Sequence, residues 1–271
     1  MLLGERRPPR KHAALTQPHA MSGSERDEIT IDGLTRDWKL AQRKRGHRHS
    51  TDDLLTAWYA AEHASDATRV LDLGSGVGSV GLLVLWRCPR ATLTAIEAQE
   101  VSYDLLAKNV AMNGLGERVR AVHGDLREVR FAGESFDLVT GSPPYFDVSA
   151  GIVPSDSQKA HARFELRGDV RDYCCAARDA MATNARFVFC FPTVQRARAE
   201  RACDEAKLAL VVSRDVVPKR GAAPLFSLFC CRRREDEPQP SQVVEPPYFV
   251  RDENGMQTAE HAAARATFGM T

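Results

Sequence analysis

The sequence predicts an α/β fold: a mixed, mostly parallel sheet of seven strands covered by helices on both faces. Between residues 69 and 206, short apolar runs typical of buried strands alternate with stretches of helical periodicity. After residue 207 the alternation stops, and two β-rich runs follow each other across a Pro-Lys-Arg-Gly turn. This change of pattern predicts a C-terminal antiparallel hairpin at the end of the sheet.

Composition excludes several classes of protein. The chain has 271 residues, 37 Lys and Arg against 36 Asp and Glu, and 43% hydrophobic residues, which is ordinary for a globular protein and not for a collagenous, coiled-coil or wholly disordered one. No apolar run approaches the roughly 18 residues of a membrane-spanning helix. The seven cysteines are odd in number and none is spaced C-x-x-C. We therefore expect a reducing, cytoplasmic location without disulfides or a zinc site.

The first 28 residues are basic and proline-rich, with almost nothing apolar after Leu3. This pattern predicts a disordered arm and leaves residues 29–267 as one domain. Two further interpretations stay open for the arm, a weak organellar transit segment or an overlong start with Met21 as the initiator.

The elements follow in chain order from a helix that we expect to begin at Thr51 or Asp52. The predicted strands are 69–73, 91–96, 119–122, 136–140, 187–191, 208–217 and 225–232, with a possible short strand at 242–250. The predicted helices are 79–86, 99–112, 170–182, 194–206 and one from about Thr258.

A glycine-rich turn follows the first predicted strand, in the sequence Asp72-Leu73-Gly74-Ser75-Gly76-Val77-Gly78. A strand, a glycine turn and a helix in this order allow a ligand to approach the backbone at the carboxyl end of the sheet. Glu97 lies at the end of the second strand. We expect Asp72 near an ammonium group of the ligand and Glu97 as the acceptor for two ribose hydroxyls.

The same stretch also fits the dinucleotide pattern G-x-G-x-x-G from Gly76 to Gly81, with Glu97 about 20 residues further on. Two observations weigh against a dinucleotide. The glycines of this pattern begin only after Gly74 has already broken the strand, and Asp72 would repel a pyrophosphate. A cationic ligand is favoured.

The glycine turn resembles the first motif, D-x-G-x-G-x-G, of the class I S-adenosylmethionine methyltransferases, which have a Rossmann-like fold. The resemblance implies S-adenosylmethionine as cofactor. It places Asp72, Gly74, Gly76, Gly78 and Glu97 in the cofactor site. It adds Asp125 as the contact to the adenine ring.

A second motif, Ser142-Pro143-Pro144-Tyr145, follows the strand at 136–140. It resembles the N-P-P-Y motif of methyltransferases that act on planar nitrogens. The resemblance implies that the carbonyl of Pro143 and the side chain of Ser142 accept hydrogen bonds from the target amine, that Ser142 also borders the cofactor, and that Tyr145 stacks on the base.

Ser142 departs from the commoner Asn and is one bond shorter. S-P-P-Y also occurs in some cytosine amino-methylating enzymes, so the target base stays open, as does a reduced or absent activity.

Two end segments resemble the bacterial tRNA(Val) adenine-N6 methyltransferases. The segment His49-Ser50-Thr51-Asp52-Asp53-Leu54-Leu55 is similar to the family's G-T-D-x-x-L-L, which implies a cofactor contact for Thr51. Residues 250–258 are similar to its V-R-D-x-x-G-x-x-T. The resemblance implies methylation of N6 of adenine in tRNA by a monomeric enzyme. The alternatives are an amine methylase of cytosine, DNA or protein glutamine, and a cofactor-binding subunit without turnover that associates with RNA.

A basic segment precedes the first helix. Residues 36–49 carry a net charge of +5, and we name the residues Arg43, Lys44, Arg45 and Arg48 the basic collar. A basic collar beside a base pocket predicts phosphate contacts, although a solvated turn is as good an interpretation. The histidines His47, His49, His123 and His161 show no metal-ligand spacing and are interpreted as surface or packing residues, so no metal is expected.

Overall fold

The computed structural model describes residues 28–131, 133–145, 158, 165, 168–239 and 241–270. The predicted arm lies outside the described residues except for Glu28, and His161 lies outside them as well. Within these residues there are ten strands: β1 Ile29–Gly33, β2 Lys39–Arg43, β3 Arg69–Leu73, β4 Thr92–Glu97, β5 Val119–His123, β6 Phe136–Gly141, β7 Met181–Pro192, β8 Leu208–Val217, β9 Phe226–Arg233 and β10 Val243–Phe249. The helices are α1 Thr51–His63, α2 Ser79–Arg87, α3 Glu100–Met112, α4 Val170–Ala180, α5 Arg196–Glu205 and α6 Ala259–Ala266.

The main sheet has the strand order β5-β4-β3-β6-β7-β9-β8-β10. Strands β3 to β7 are parallel, and β9 is antiparallel to both β7 and β8. Helices α1, α2, α3 and α6 contribute to the core on one face of the sheet, and α4 and α5 contribute to the core on the other. The predicted α/β fold, with helices on both faces and a C-terminal antiparallel hairpin, is confirmed.

The strand count of seven was wrong, because β10 adds an eighth strand. It pairs in parallel with β8, from Val243 opposite Val212 to Phe249 opposite Val217, and its register shifts between Glu245 and Tyr248. Pro246 and Pro247 lie inside this shift. Since proline cannot donate to a sheet ladder, such a strand is confined to an edge, which is where β10 lies.

A second, two-stranded sheet of β1 and β2 was missed, because both strands are short and the basic residues of β2 concealed its apolar pattern. Two asparagines hold β2 in place, Asn109 within α3 and Asn113 directly after it. Asn109 accepts from the Ala41 N–H at 2.6 Å and donates to the Ala41 carbonyl at 3.1 Å. Asn113 makes the same pair of bonds with the backbone of Lys39, each at 2.8 Å.

The parallel strands position the site. The chain runs from β3 outwards to β4 and β5, then returns to β6 on the other side of β3. A sheet that reverses its order in this way leaves a crevice beyond the carboxyl ends of the two central strands. Among the described residues, no helix has the length and apolar character needed to cross a bilayer.

Candidate active site

One pocket opens at the carboxyl ends of β3, β4, β5 and β6. Six residues named from the sequence line it together: Asp72, Gly74, Gly76, Glu97, Asp125 and Ser142. Pro144 lines it too, so the glycine turn and the S-P-P-Y segment border one cavity. Their juxtaposition follows from the parallel pairing of β3 with β6, which places Leu73 opposite Gly141.

The glycines of the turn have different roles. Gly76 has φ +57° and open space where a side chain would begin, so its backbone is exposed to a ligand. Gly78 has φ +93°, and a Cβ there would lie 2.7 Å from Leu106, so this glycine allows α2 and α3 to pack. Gly78 is not among the described residues that line the pocket, and its predicted cofactor contact stays a prediction.

Asp72 is a buried carboxylate beneath the glycine turn, with 1% of its surface exposed. It accepts a hydrogen bond from the Thr140 hydroxyl at 2.7 Å and one from the Gly81 N–H at 3.2 Å. Burial raises the pKa of Asp72 from 3.8 to about 6, although both hydrogen bonds oppose this shift. A cation in the pocket would favour the ionised form.

Glu97 connects β4 to the glycine turn. Its carboxylate accepts from the Gly76 N–H at 2.8 Å and from the Gln99 N–H at 2.7 Å. Each carboxylate oxygen has two lone pairs and can accept more than one hydrogen bond. Asp125, after β5, accepts from Arg127 through both oxygens, at 2.9 and 2.6 Å.

The S-P-P-Y segment is anchored to α1 and β7. The Tyr145 hydroxyl donates to Asp52 Oδ2 at 3.0 Å and lies 3.3 Å from Cys190 Sγ. Ser142 Oγ lies 3.5 Å from the same sulfur. The Tyr145 carbonyl accepts from Gln195 Nε2 at 2.7 Å. Burial raises the pKa of Cys190 to about 12, so its thiol stays protonated and can donate.

Sequence reasoning missed Asp53, His47, His49 and Tyr173, which also line the pocket. Asp53 accepts from the Ser50 N–H at 3.1 Å and lies 3.4 Å from His49 Nδ1. Burial is the largest single effect and raises the pKa of Asp53, but the contacts with His49, His47 and the Ser50 N–H together outweigh it, so the net shift is downward. Ser50 and not Thr51 or Asp52 is the N-cap of α1. The spacing of Ser50 and Asp53, which is that of a capping box, was the available signal.

Comparison with known proteins identifies the class of enzyme. A family profile described as a methyltransferase domain matches residues 70–163. The tRNA1(Val) (adenine(37)-N6)-methyltransferase of Flavobacteriaceae bacterium strain 3519-10 is 32% identical over 172 residues, which cover 64% of this chain and 71% of that protein. The chain belongs to the family of the tRNA1(Val) (adenine(37)-N6)-methyltransferases.

Two further comparisons agree on the domain. The release factor glutamine methyltransferase of Bordetella pertussis strain Tohama I is 36% identical over 108 residues, 39% of this chain and 37% of that protein. The crystal structure of a predicted O-methyltransferase from Agrobacterium tumefaciens superposes with a TM-score of 0.62 at 16% identity, and covers 82% of this chain and 98% of that one. The structural likeness shows that the fold is shared.

The enzyme is a methyltransferase that uses S-adenosylmethionine, and the pocket of this chain fits such a cofactor. Four carboxylates line it (Asp53, Asp72, Glu97 and Asp125), and the described lining residues include neither Lys nor Arg. An acidic pocket attracts a ligand with a sulfonium and an ammonium group and repels the pyrophosphate of a dinucleotide.

Thr51 is not among the described residues that line this pocket, and its predicted cofactor contact stays a prediction. Thr51 is the exposed first residue of α1 and lines a second cavity, together with residues of the C-terminal segment such as Arg251. Side chains in the first turn of a helix point in different directions, so Asp53 faces the cofactor pocket and Thr51 faces the second cavity.

The basic collar begins at Arg43, the last residue of β2, and continues into the segment after the hairpin β1–β2. Arg48 pairs with Asp32 at 2.9 Å and donates to Thr30 Oγ1 at 2.9 Å. Lys44 pairs with Glu28 at 2.9 Å. Arg43 is buried and Arg45 is exposed. These contacts fix the hairpin, and the predicted phosphate contacts of the collar stay a prediction.

Proposed function

We propose that this methyltransferase modifies the exocyclic N6 amino group of adenine in tRNA, as a monomer in the cytoplasm. The observation that carries the proposal is that Ser142 and Pro144 line the same pocket as Asp72 and Glu97. An amine-binding motif therefore borders the acidic cofactor pocket. The relative from Flavobacteriaceae, whose name states adenine-N6 methylation of a tRNA, supports the choice of substrate.

Three carboxylates and the glycine turn would hold the cofactor. Asp72, with its pKa near 6, favours a positive group next to it. Glu97 accepts hydrogen bonds from the ribose hydroxyls while it fixes the backbone of Gly76. Asp125 lies at the end of β5, where the adenine ring would bind. When bound, S-adenosylmethionine supplies an electrophilic methyl group on its sulfonium.

The S-P-P-Y segment would bind the target amine. The lone pair of an amino group on a base is delocalised into the ring, so the nitrogen is a poor nucleophile. Ser142 Oγ and the Pro143 carbonyl accept its two N–H bonds and favour tetrahedral geometry at nitrogen. These residues hold the amine in line for transfer and need not supply a strong base.

Cys190 and Asp52 hold the side chains of Ser142 and Tyr145 in place. Cys190 Sγ lies within 3.5 Å of both Ser142 Oγ and the Tyr145 hydroxyl, and Asp52 accepts from Tyr145. Two contacts on the phenol fix the ring of Tyr145, which we expect to stack on the base.

The test uses three reactions, each with the purified protein, S-adenosylmethionine labelled in its methyl group, and one pool: total RNA, DNA or protein. We expect label in tRNA and, after digestion to nucleosides, N6-methyladenosine. Methylcytidine would move the target to cytosine, and label in protein or DNA would contradict an RNA substrate. Absence of label in every pool, with cofactor binding intact, would identify a cofactor-binding subunit without turnover.

A further inference from the structure

A second cavity, which we name the C-terminal groove, lies at the same edge of the sheet as the cofactor pocket. Its lining residues lie around the carboxyl ends of β8 and β10, at the start of β9, and in α1 and α6; they include Pro218, Leu225, Val250, Arg251, Gln257 and Arg265. Strand β8 is parallel to β7, since both are antiparallel to β9. The groove and the active site therefore open towards the same side of the molecule.

The groove and the cofactor pocket differ in charge. Arg251 and Arg265 line the groove, and none of its described lining residues is Asp or Glu. The cofactor pocket has four carboxylates. Lys219 and Arg220 are exposed on the loop between β8 and β9, and the Arg220 N–H donates to the Arg251 carbonyl at 2.9 Å. The charges of the groove thus favour an anion, whereas those of the cofactor pocket favour a cation.

The V-R-D-x-x-G-x-x-T segment builds one wall of the groove. Asp252 Oδ1 accepts from the Asn254 and Met256 N–H groups, each at 2.9 Å, and Gly255 has φ +83°. Thr258 caps α6 by accepting from the His261 N–H at 3.1 Å. These residues shape the backbone.

Arg251 has a different place in that segment. Its side chain is exposed, and Nη1 donates to the Gly255 carbonyl at 2.8 Å. A guanidinium has five N–H donors in a planar fork. The donors beyond the Gly255 contact can therefore reach a phosphate in the groove.

Direct contacts connect the groove to the target-binding segment. Thr51 lines the groove, and its neighbour Asp52 accepts from the Tyr145 hydroxyl. On the opposite side, Gln195 donates to the Tyr145 carbonyl, and the Thr193 N–H donates to the carbonyl of Leu225, which lines the groove. A chain bound in the groove would thus pass close to Tyr145.

We propose that the C-terminal groove binds the sugar-phosphate backbone of the RNA next to the target adenine, with Arg251 as its principal phosphate contact. Leu225, 62% exposed, and Val194, 89% exposed, flank this path and offer apolar surface to a splayed base or ribose. The proposal rests on the proposed function, since it assumes an RNA substrate. It assigns the main phosphate contact to Arg251, after β10, and not to the basic collar before α1.

The test measures binding of labelled total tRNA to the full chain at several salt concentrations, with saturating S-adenosylhomocysteine. Arg251→Gln should weaken tRNA binding about 5- to 20-fold at moderate salt and reduce the salt slope by about one unit. Arg251→Lys should keep the slope and lose less affinity. Arg90→Gln is the matched control, because Arg90 is exposed between α2 and β4, at the opposite edge of the sheet, and should change affinity less than about twofold.

A second pair of variants covers the case in which Arg251→Gln lowers stability. Leu225→Glu places a negative charge in the groove at a mostly exposed position and should weaken tRNA binding as well. Val244→Glu makes the same change at a position 64% exposed near the start of β10 and should leave binding unchanged. Affinity for S-adenosylhomocysteine should be equal in all variants, because none lines the cofactor pocket.

The outcomes separate the two proposals. If the wild type methylates tRNA and neither Arg251→Gln nor Leu225→Glu weakens tRNA binding more than its control, the groove proposal is wrong and the proposed function stands. If the wild type neither binds nor labels RNA, the function proposal fails and the groove proposal fails with it.

Discussion

Thr51 and Asp53 lie two residues apart in the first turn of α1 and line two different cavities. Asp53 faces the acidic cofactor pocket, and Thr51 faces the basic C-terminal groove. Asp52, between them, accepts the hydrogen bond from Tyr145 at 3.0 Å. One helical turn thus separates the proposed cofactor side from the proposed RNA side and anchors the target-binding segment.

The phenol contact of Tyr145 gives the first prediction. Tyr145→Phe keeps the ring but removes the hydrogen bond to Asp52. We expect the activation free energy of turnover to rise by about 1 kcal/mol and cofactor binding to stay unchanged. Tyr145→Ala also removes the ring and should raise the KM for RNA, because about 1 to 3 kcal/mol of stacking free energy is lost. Steady-state kinetics at saturating cofactor measure both. A phenylalanine variant with a full rate would show that the hydroxyl contact is dispensable.

Asp72 should make cofactor binding depend on pH. A cationic ligand binds best to the ionised carboxylate, and the pKa of Asp72 in the folded chain is about 6. Affinity for S-adenosylmethionine should therefore fall as the pH decreases from 7 to 5. Calorimetry in two buffers at pH 6 should detect release of a proton on binding. His47 and His49 line the same pocket, so Asp72→Asn is the control, and it should lose the part of the pH dependence that Asp72 causes.

The same carboxylate affects stability with the opposite sign. Its pKa is raised on folding, so its contribution to stability is fully present below 3.8 and is lost as the pH rises through about 6. The unfolding free energy of the ligand-free wild type should decline relative to that of Asp72→Asn between pH 4 and 7. Denaturant titrations of the two proteins measure this difference. Parallel pH profiles would contradict the assigned pKa.

Loss of the Glu97 carboxylate should chiefly weaken cofactor binding. Glu97→Ala removes charge-assisted hydrogen bonds and should weaken binding of S-adenosylhomocysteine by about 1 to 3 kcal/mol. It also frees the Gly76 N–H, which Glu97 now holds at 2.8 Å. Calorimetry measures the loss, with NAD as the control ligand that should give no comparable signal. Binding of NAD in place of the homocysteine compound would overturn the cofactor assignment.

Ser142 tests the mechanism of amine binding. Ser142→Ala should raise the activation free energy of turnover by roughly 2 to 4 kcal/mol. The reason is that the hydrogen bond from the amine to Ser142 strengthens as the nitrogen becomes tetrahedral. Cofactor affinity should hardly change. Ser142→Asn restores the commoner motif and is the comparison variant. Full turnover of Ser142→Ala would mean that backbone carbonyls suffice, and activity gained only in Ser142→Asn would mean that the natural protein is not catalytic.

Arg48 distinguishes the basic collar from the C-terminal groove. Its pair with Asp32 is partly exposed, so Arg48→Gln should lower the unfolding free energy by about 1 kcal/mol or less. The tRNA affinity of Arg48→Gln should change little. Arg251→Gln should instead weaken tRNA binding and leave the unfolding free energy nearly unchanged. Thermal unfolding and tRNA binding of both variants check this. Loss of tRNA affinity in Arg48→Gln without loss of stability would restore the collar as an RNA contact.

Local sequence signals determined most of the fold. The run Arg69–Leu73 was predicted as a strand with its observed bounds, since it is apolar and ends at a glycine turn. Asp72 and Glu97 could be named because each lies near the carboxyl end of a predicted parallel strand, and the carboxyl ends of such strands meet at one edge. Ser142 could be named because its segment resembles the N-P-P-Y motif. The two prolines of β10 were a signal for an edge strand that the sequence interpretation did not use.

Tertiary packing decided the rest. No local pattern in the sequence shows that the basic residues of β2 belong to a hairpin, because Asn109 and Asn113 hold that strand from about 70 residues away. The direction in which Thr51 points depends on how α1 docks on the sheet. The C-terminal groove joins residues from α1, the β8–β9 loop and the segment after β10. Such a surface exists only when the sheet order brings distant segments together, and the periodicity of a sequence reports neighbours along the chain and not neighbours in space.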